Sequence, residues 1–142
     1  MADKTPLSIV IYDGHYDKIH YALAMAAAAA AIDRPVCLFF TMDACRALMV
    51  DDNGAEVWRT LPTTTGETGE TMDARFRLEK IGAFEELLES CMEIGVSIMV
   101  CEMGLKARTL DAVAIRDDVP VAPGGLVTFL SDPAKTGQLV FI

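Results

Sequence analysis

The chain alternates between short uninterrupted apolar runs and longer stretches with helical spacing. Leu7-Ser8-Ile9-Val10-Ile11-Tyr12 is the first run, and it predicts a buried strand ended by Asp13-Gly14. A long helix is expected from about His15 to Ile32, with six consecutive alanines, Ala26 to Ala31, inside it. Alanine has the highest helix propensity, and the run predicts close packing of this helix on a sheet or on another helix. Asp33-Arg34-Pro35 stops it. Val36-Cys37-Leu38-Phe39-Phe40 then shows no polar alternation and predicts a second strand covered on both faces.

Met42 to about Met49 reads as a helical turn or short helix. From Val50 to Asp73 the composition shifts to Asp, Asn, Gly, Thr and Glu, which predicts a long and partly mobile excursion. Helix is expected again from about Phe76 to Ile94, with Ile81, Phe84, Leu88 and Cys91 at helical spacing and Gly95 as the C-terminal cap. Val96 to Val100 predicts a third strand with Cys101 at its carboxyl end. A helix from Met103 or Gly104 to about Ala114, a short strand at Val119-Pro120-Val121, a helix from Gly124 to Leu130 and a closing strand at Gln138 to Ile142 complete the pattern. Strands alternating with helices predict one α/β domain over residues 1–142, with a parallel sheet sandwiched between helices. In such sheets ligands gather outside the carboxyl ends of the strands. Three loops meet that rule: Asp13 to Lys18, Thr41 to Cys45, and Cys101 to Leu105.

Composition adds a constraint. Hydrophobic residues make up 52% of the 142 positions and the mean hydropathy is +0.32, so the chain needs a sheet covered on both faces or a sizeable subunit interface. The apolar stretch from Ala22 to Ile32 is too short to span a bilayer, which takes about 20 residues. The start, Met-Ala-Asp-Lys-Thr-Pro, has no signal-peptide pattern, and a cytoplasmic location is the expectation. With 12 Lys and Arg against 21 Asp and Glu the net charge is −9, and no basic stripe is present. No nucleic-acid partner is therefore expected.

Candidate chemistry centres on four cysteines, at 37, 45, 91 and 101. None forms a Cys-x-x-Cys pair, and in a cytoplasmic chain they are expected as reduced thiols. Cys37, inside an apolar strand, and Cys91, on an apolar helix stripe, are expected in the core. Cys101 ends a strand just before a segment able to start a helix, where unpaired backbone N–H groups favour a thiolate. Position alone leaves open whether it reacts or merely packs. Cys45 lies on the same sheet edge, as a resolving thiol or as the buried side of a short helix. His15 reads first as a solvated histidine at a helix start. A zinc site would need three or four converging ligands, for which His15, Cys45 and Cys101 are the only set, and no metal is expected. Thr63-Thr64-Thr65-Gly66-Glu67-Thr68 matches the phosphate loop of flavodoxins. It does not follow the first strand, however, and Glu67 and Glu70 would repel a phosphate, so it reads as a polar surface loop and no cofactor is expected.

Three segments together resemble the DsrE/DsrF-like family, in particular its sulfurtransferase or peroxiredoxin-like branch. They are Ile9-Val10-Ile11-Tyr12-Asp13-Gly14-His15-Tyr16-Asp17-Lys18, Val36-Cys37-Leu38-Phe39-Phe40-Thr41 and Ile98-Met99-Val100-Cys101-Glu102-Met103-Gly104-Leu105, with Gln138 to Ile142 fitting as well. The likeness spans nearly the whole chain. Met42-Asp43-Ala44-Cys45 stands where the family often has a tryptophan after the second strand. The resemblance implies an α/β/α sandwich around a five-stranded, mainly parallel sheet, assembled as a homotrimer or homohexamer. It also implies that Cys101 carries sulfur as a persulfide, exchanged with a sulfur-donor or sulfur-acceptor protein. Met103 and the turn from Asp13 to Lys18 would then shape the mouth of the site, with Lys18 or His15 supplying positive charge. The competing reading is a non-catalytic oligomeric module of the same fold that binds a small ligand or a protein. A thiol peroxidase finds no Thr-x-x-Cys of the peroxiredoxin type.

Overall fold

The computed structural model describes residues 4–142. Its first three strands lie where the apolar runs predict them: β1 is Leu7–Ile11, β2 Val36–Phe40 and β3 Ser97–Cys101. β4 is Ala122–Gly124 and β5 is Gln138–Phe141. They form one sheet in the order β4-β3-β2-β1-β5, and every neighbouring pair is parallel. The predicted α/β architecture holds, with the sheet wholly rather than mainly parallel.

The helices are α1 (Tyr16–Ala31), α2 (Gly69–Leu78), α3 (Phe84–Ile94), α4 (Glu102–Ala107), α5 (Leu126–Leu130) and α6 (Pro133–Thr136). From β1 to β4 the chain steps steadily toward one edge, and right-handed crossovers taken in one direction lay their helices on one face. On that face the side chains of Leu7, Ile9, Ile11, Leu38, Phe40, Ile98 and Val100 share a single core with α1, α2 and α3. Ala22, Ala26, Ala29 and Ala30 are the buried side of α1, so the alanine run does serve close packing. The return from β4 to the far edge supplies only α5 and α6 to the opposite face. There a small cluster of Val10, Phe39, Cys101 and Phe129 forms, with Cys37 and Met99 against it. Helices, sheet and helices make three layers, the third of them thin.

Four predicted elements change. The polar excursion from Val50 to Asp73 is ordered: it contains a 3₁₀ turn at Val57–Thr60, whose Trp58 is wholly buried and stacks on Phe84 at 4.7 Å and on Tyr16 at 5.7 Å. Its one aromatic residue outweighs its polar composition. The helix expected from Phe76 to Ile94 is two helices. Lys80 takes a left-handed φ of 60°, Ile81 falls in the gap, and Phe84 restarts the helix by donating its N–H to the buried Asp73 carboxylate at 2.7 Å. The Tyr16 hydroxyl donates to the same oxygen at 2.6 Å, so one acid ties α1, α2 and α3 together. The fourth strand lies at Ala122–Gly124 rather than Val119–Val121, because Val119 turns into the core instead. The helix after Cys101 ends at Ala107, not near Ala114, where Thr109 adopts φ 56°. Gly95 does cap α3, at φ 94°. No described helix is long and apolar enough to cross a membrane.

Candidate functional site

The three loops expected at the carboxyl edge lie there and also touch one another. After β2 the chain enters a 3₁₀ segment, Met42–Leu48, and two glycines bring its neighbours against it. A side chain on Gly14 would run into the Cβ of Asp43, and one on Gly104 into Thr41 and the backbone nitrogen of Met42. The β1 turn, the β2 turn and α4 are therefore packed backbone to backbone.

Cys101 is the N-cap of α4. Its sulfur accepts the Gly104 backbone N–H at 3.4 Å, the arrangement that its position between strand and helix predicts. A sulfur so placed has an oriented dipole directed at it, which favours negative charge there. The thiol is also covered: Cys101 is 1% exposed, on the thin side of the sheet with Phe129, Phe39 and Val10 around it. Cys45 is equally buried. Burial first, and the neighbouring Cys101 second, push its thiol up to about 12. Cys45 is thus close enough to Cys101 for their charges to interact, and it is a neutral thiol at ordinary pH. A protonated thiol is a weak attacker, which weakens the resolving role.

Among the described residues none of the remaining candidates hydrogen-bonds this sulfur. Met103, on the first turn of α4, is 54% exposed. His15 and Lys18 both engage Asp13 instead of the sulfur, at 2.5 Å and 3.2 Å. Burial alone would raise the Asp13 carboxyl. The His15 backbone and ring and the Lys18 ammonium outweigh it and bring the group down to about 2. Among the described residues no three His, Cys, Asp or Glu side chains gather as metal ligands. Of the thiols assigned to the core, Cys91 is there, with its S–H directed at the Leu23 carbonyl. Cys37 is not: it is half-buried and faces a cavity on the thin side. The flavodoxin-like segment folds as a turn in which the Thr63 N–H donates to the Glu67 carbonyl. Thr64 caps Asp17 through its N–H, at 3.0 Å, and its hydroxyl.

Three further charged side chains border the site. Asp43 sits between Arg46, at 3.5 Å, and Arg108, at 3.6 Å, which links the 3₁₀ segment to α4. The i,i+3 spacing of Asp43 and Arg46 is visible in the chain. The approach of Arg108 depends on the bare α carbon of Gly104 and is not.

A model of the DsrE/DsrF-like family matches residues 7–132. The chain belongs to the DsrE/DsrF-like family. Its fold is shared with the YchN protein of E. coli, a solved structure 14% identical that superposes with a TM-score of 0.55 over 96% of this chain and 99% of that one. No curated protein matches this DsrE/DsrF-like chain in sequence at a significant level. The family as a whole is associated with sulfur relay.

Proposed function

We propose that this protein is a sulfur carrier or sulfurtransferase subunit that holds sulfur as a persulfide on Cys101. The observation that carries the reading is the bond from the Gly104 N–H to the Cys101 sulfur, at the carboxyl edge of a parallel sheet in a DsrE/DsrF-like chain. In the transfer, the Cys101 thiolate attacks the outer sulfur of a donor persulfide. A new S–S bond forms at Cys101, the donor S–S bond breaks, and the donor leaves as its thiolate, with no net oxidation. Each reactant is a protein thiol or persulfide, so the partners are a sulfur-donor and a sulfur-acceptor protein. The backbone dipole at Gly104 steadies the negative charge on Cys101. Met103 lies at the mouth, and the Asp43, Arg46 and Arg108 group gives the rim fixed charges for docking.

Cover on Cys101 makes access part of the reading. Transfer in line requires the sulfur to be reached, so partner docking has to lift the short α5 segment that carries Phe129. Self-association belongs to the same proposal. Tyr12, Leu139 and Phe141 leave apolar surface at the β5 edge, with Phe141 65% exposed, and a trimer or hexamer of this chain would cover it.

The burial of Cys101 also favours a second reading, a non-catalytic oligomeric module in which this thiol only packs. One experiment separates the two. The purified protein is incubated with a protein persulfide donor and its intact mass is read, beside Cys101→Ala and Cys45→Ala. The carrier reading expects one added sulfur on the wild type and on Cys45→Ala, and none on Cys101→Ala. No added sulfur on the wild type, or equal loading of Cys101→Ala, overturns it.

A further inference from the structure

The thin side of the sheet holds a cavity of about 460 Å³ that the chemistry above does not fill, although Phe129 belongs to both. It lies under α5 and α6 at the amino ends of β1, β2 and β3, between Ser8, Cys37, Ser97 and Met99 on the sheet and Phe129 on the helix. Cys37 pairs in register with Ser97, four residues before Cys101 on β3. At about 3.3 Å per residue the cavity floor therefore runs along β3 from roughly 13 Å to roughly 7 Å from Cys101, ending at Met99. Its volume is within the range of small-molecule sites, about 300–1,000 Å³.

The walls define a ligand class. Pro35, Val36, Met99 and Phe129 make them mostly apolar. The Ser8 hydroxyl is engaged, donating to the Thr136 carbonyl at 2.9 Å. Asp132 is engaged as well, accepting the Ala134 N–H at 3.1 Å as the cap of α6. Lys135 borders the same cavity, and among the described residues no carboxylate is in ion-pair range of its ammonium. In a chain of net charge −9 this is one unpaired cation beside an apolar cavity.

We propose that this cavity is a second binding site, for a small monocarboxylic acid with an apolar body. The carboxylate pairs with Lys135, and the body lies on Met99 and Phe129 beside the Cys37 thiol. The site shares Phe129 with the cover on Cys101, but its test does not depend on sulfur transfer.

Cys37 supplies its own reporter. The native protein is alkylated with iodoacetamide, with octanoate or 1-octanol as the probe, and modification of the Cys37 peptide is followed by mass spectrometry. Octanoate at ten times its dissociation constant is expected to slow Cys37 alkylation about tenfold. Octanol at the same concentration is expected to protect less. Lys135→Gln should remove the difference between the two, and Ala134→Trp, at an exposed position that lines the cavity, should abolish protection by both. The proposal is overturned if octanoate leaves the Cys37 rate unchanged, or if both probes protect the unaltered protein equally. It is likewise overturned if the rate falls with protein concentration and ignores octanoate, which would assign the cavity to a second copy of this chain.

Discussion

The two faces of the sheet are built from the same strands and finished differently. On one, three helices and the buried Trp58 enclose Leu38, Phe40 and Ile98 in a continuous core. On the other, two helices of five and four residues leave Phe129 to cover Cys101 nearly alone, with a cavity alongside. Connection length accounts for the difference. Crossovers between neighbouring strands have room for long helices, whereas the return from β4 to β5 must cross the whole sheet. Stability is concentrated on the first face, and the candidate chemistry lies under the second. A reactive sulfur beneath a thin layer can be exposed without unfolding the core, since the elements with fewest buried contacts open at the lowest free energy.

The same substitution on each face tests that division. Phe84→Ala removes a ring stacked on Trp58 and tilted against Tyr16 and is expected to cost about 4–5 kcal/mol by urea unfolding, near the upper end for a buried phenylalanine. Phe129→Ala is expected to cost less, about 3 kcal/mol, and to accelerate alkylation of Cys101 in the native protein. Equal costs, or an unchanged Cys101 rate, would remove the distinction between the faces.

Alkaline pH sharpens it. Burial pushes Cys45 to about 12 and Cys91 to about 11, and both thiols belong to the large core. An unfolded thiol ionises near about 8.5, so above that pH the unfolded chain binds fewer protons than the folded one. Stability is therefore full below about pH 8.5 and declines as the pH rises toward 11–12, at most about 1.4 kcal/mol per thiol per pH unit. Urea midpoints at pH 8 and 10 measure the slope, which Cys91→Ala should lower.

Gly104→Ala brings a methyl group against Thr41 and Met42, with an expected loss of about 1–3 kcal/mol by urea unfolding and slower loading of Cys101 from a persulfide donor. A stability loss with unchanged loading would mean that the bond from the Gly104 N–H plays no part in the transfer. The smallest effect is expected at the β5 edge. Leu139→Ala, at a half-exposed position, should change the monomer's stability by no more than about 0.5 kcal/mol. A larger loss that grows with protein concentration would identify this edge as a self-association surface.

The elements legible in the sequence were those fixed by local pattern. The runs at 7–12, 36–40 and 96–100 are apolar apart from Ser8 and Ser97 and follow the breakers Pro6, Pro35 and Gly95, so β1, β2 and β3 are legible from local pattern alone. The place of Cys101 at a strand end beside a helix start is legible too, but the helix begins at Glu102 rather than at Met103 or Gly104, and that is what makes Cys101 its cap. The gap between α2 and α3 was hidden because Ile81, Phe84, Leu88 and Cys91 keep helical spacing straight through it, and only the distant contacts of Asp73 with Tyr16 and Phe84 reveal the restart. The assignment of Cys37 to the core failed for a related reason. An apolar strand tells that both faces are covered but not how thickly, and here one cover is two short helices. The Asp43 and Arg108 pair depends on a backbone approach between residues far apart in sequence.

The sheet order also has a consequence for how the chain folds. β1 pairs with β2 after a single crossover, but its other edge waits for β5, from the opposite end of the described chain: Leu7 aligns with Gln138. The thermodynamic penalty is slight, since each doubling of a closed loop adds only about 0.6 kcal/mol. Kinetically it is larger, because long-range parallel pairing forms slowly. Until β5 docks, β1 presents an open strand edge rich in isoleucine and valine, the kind of surface on which another chain can pair. Substitutions that slow the docking of β5 should therefore show first as lower refolding yield at high protein concentration, before any change in the stability of the finished fold.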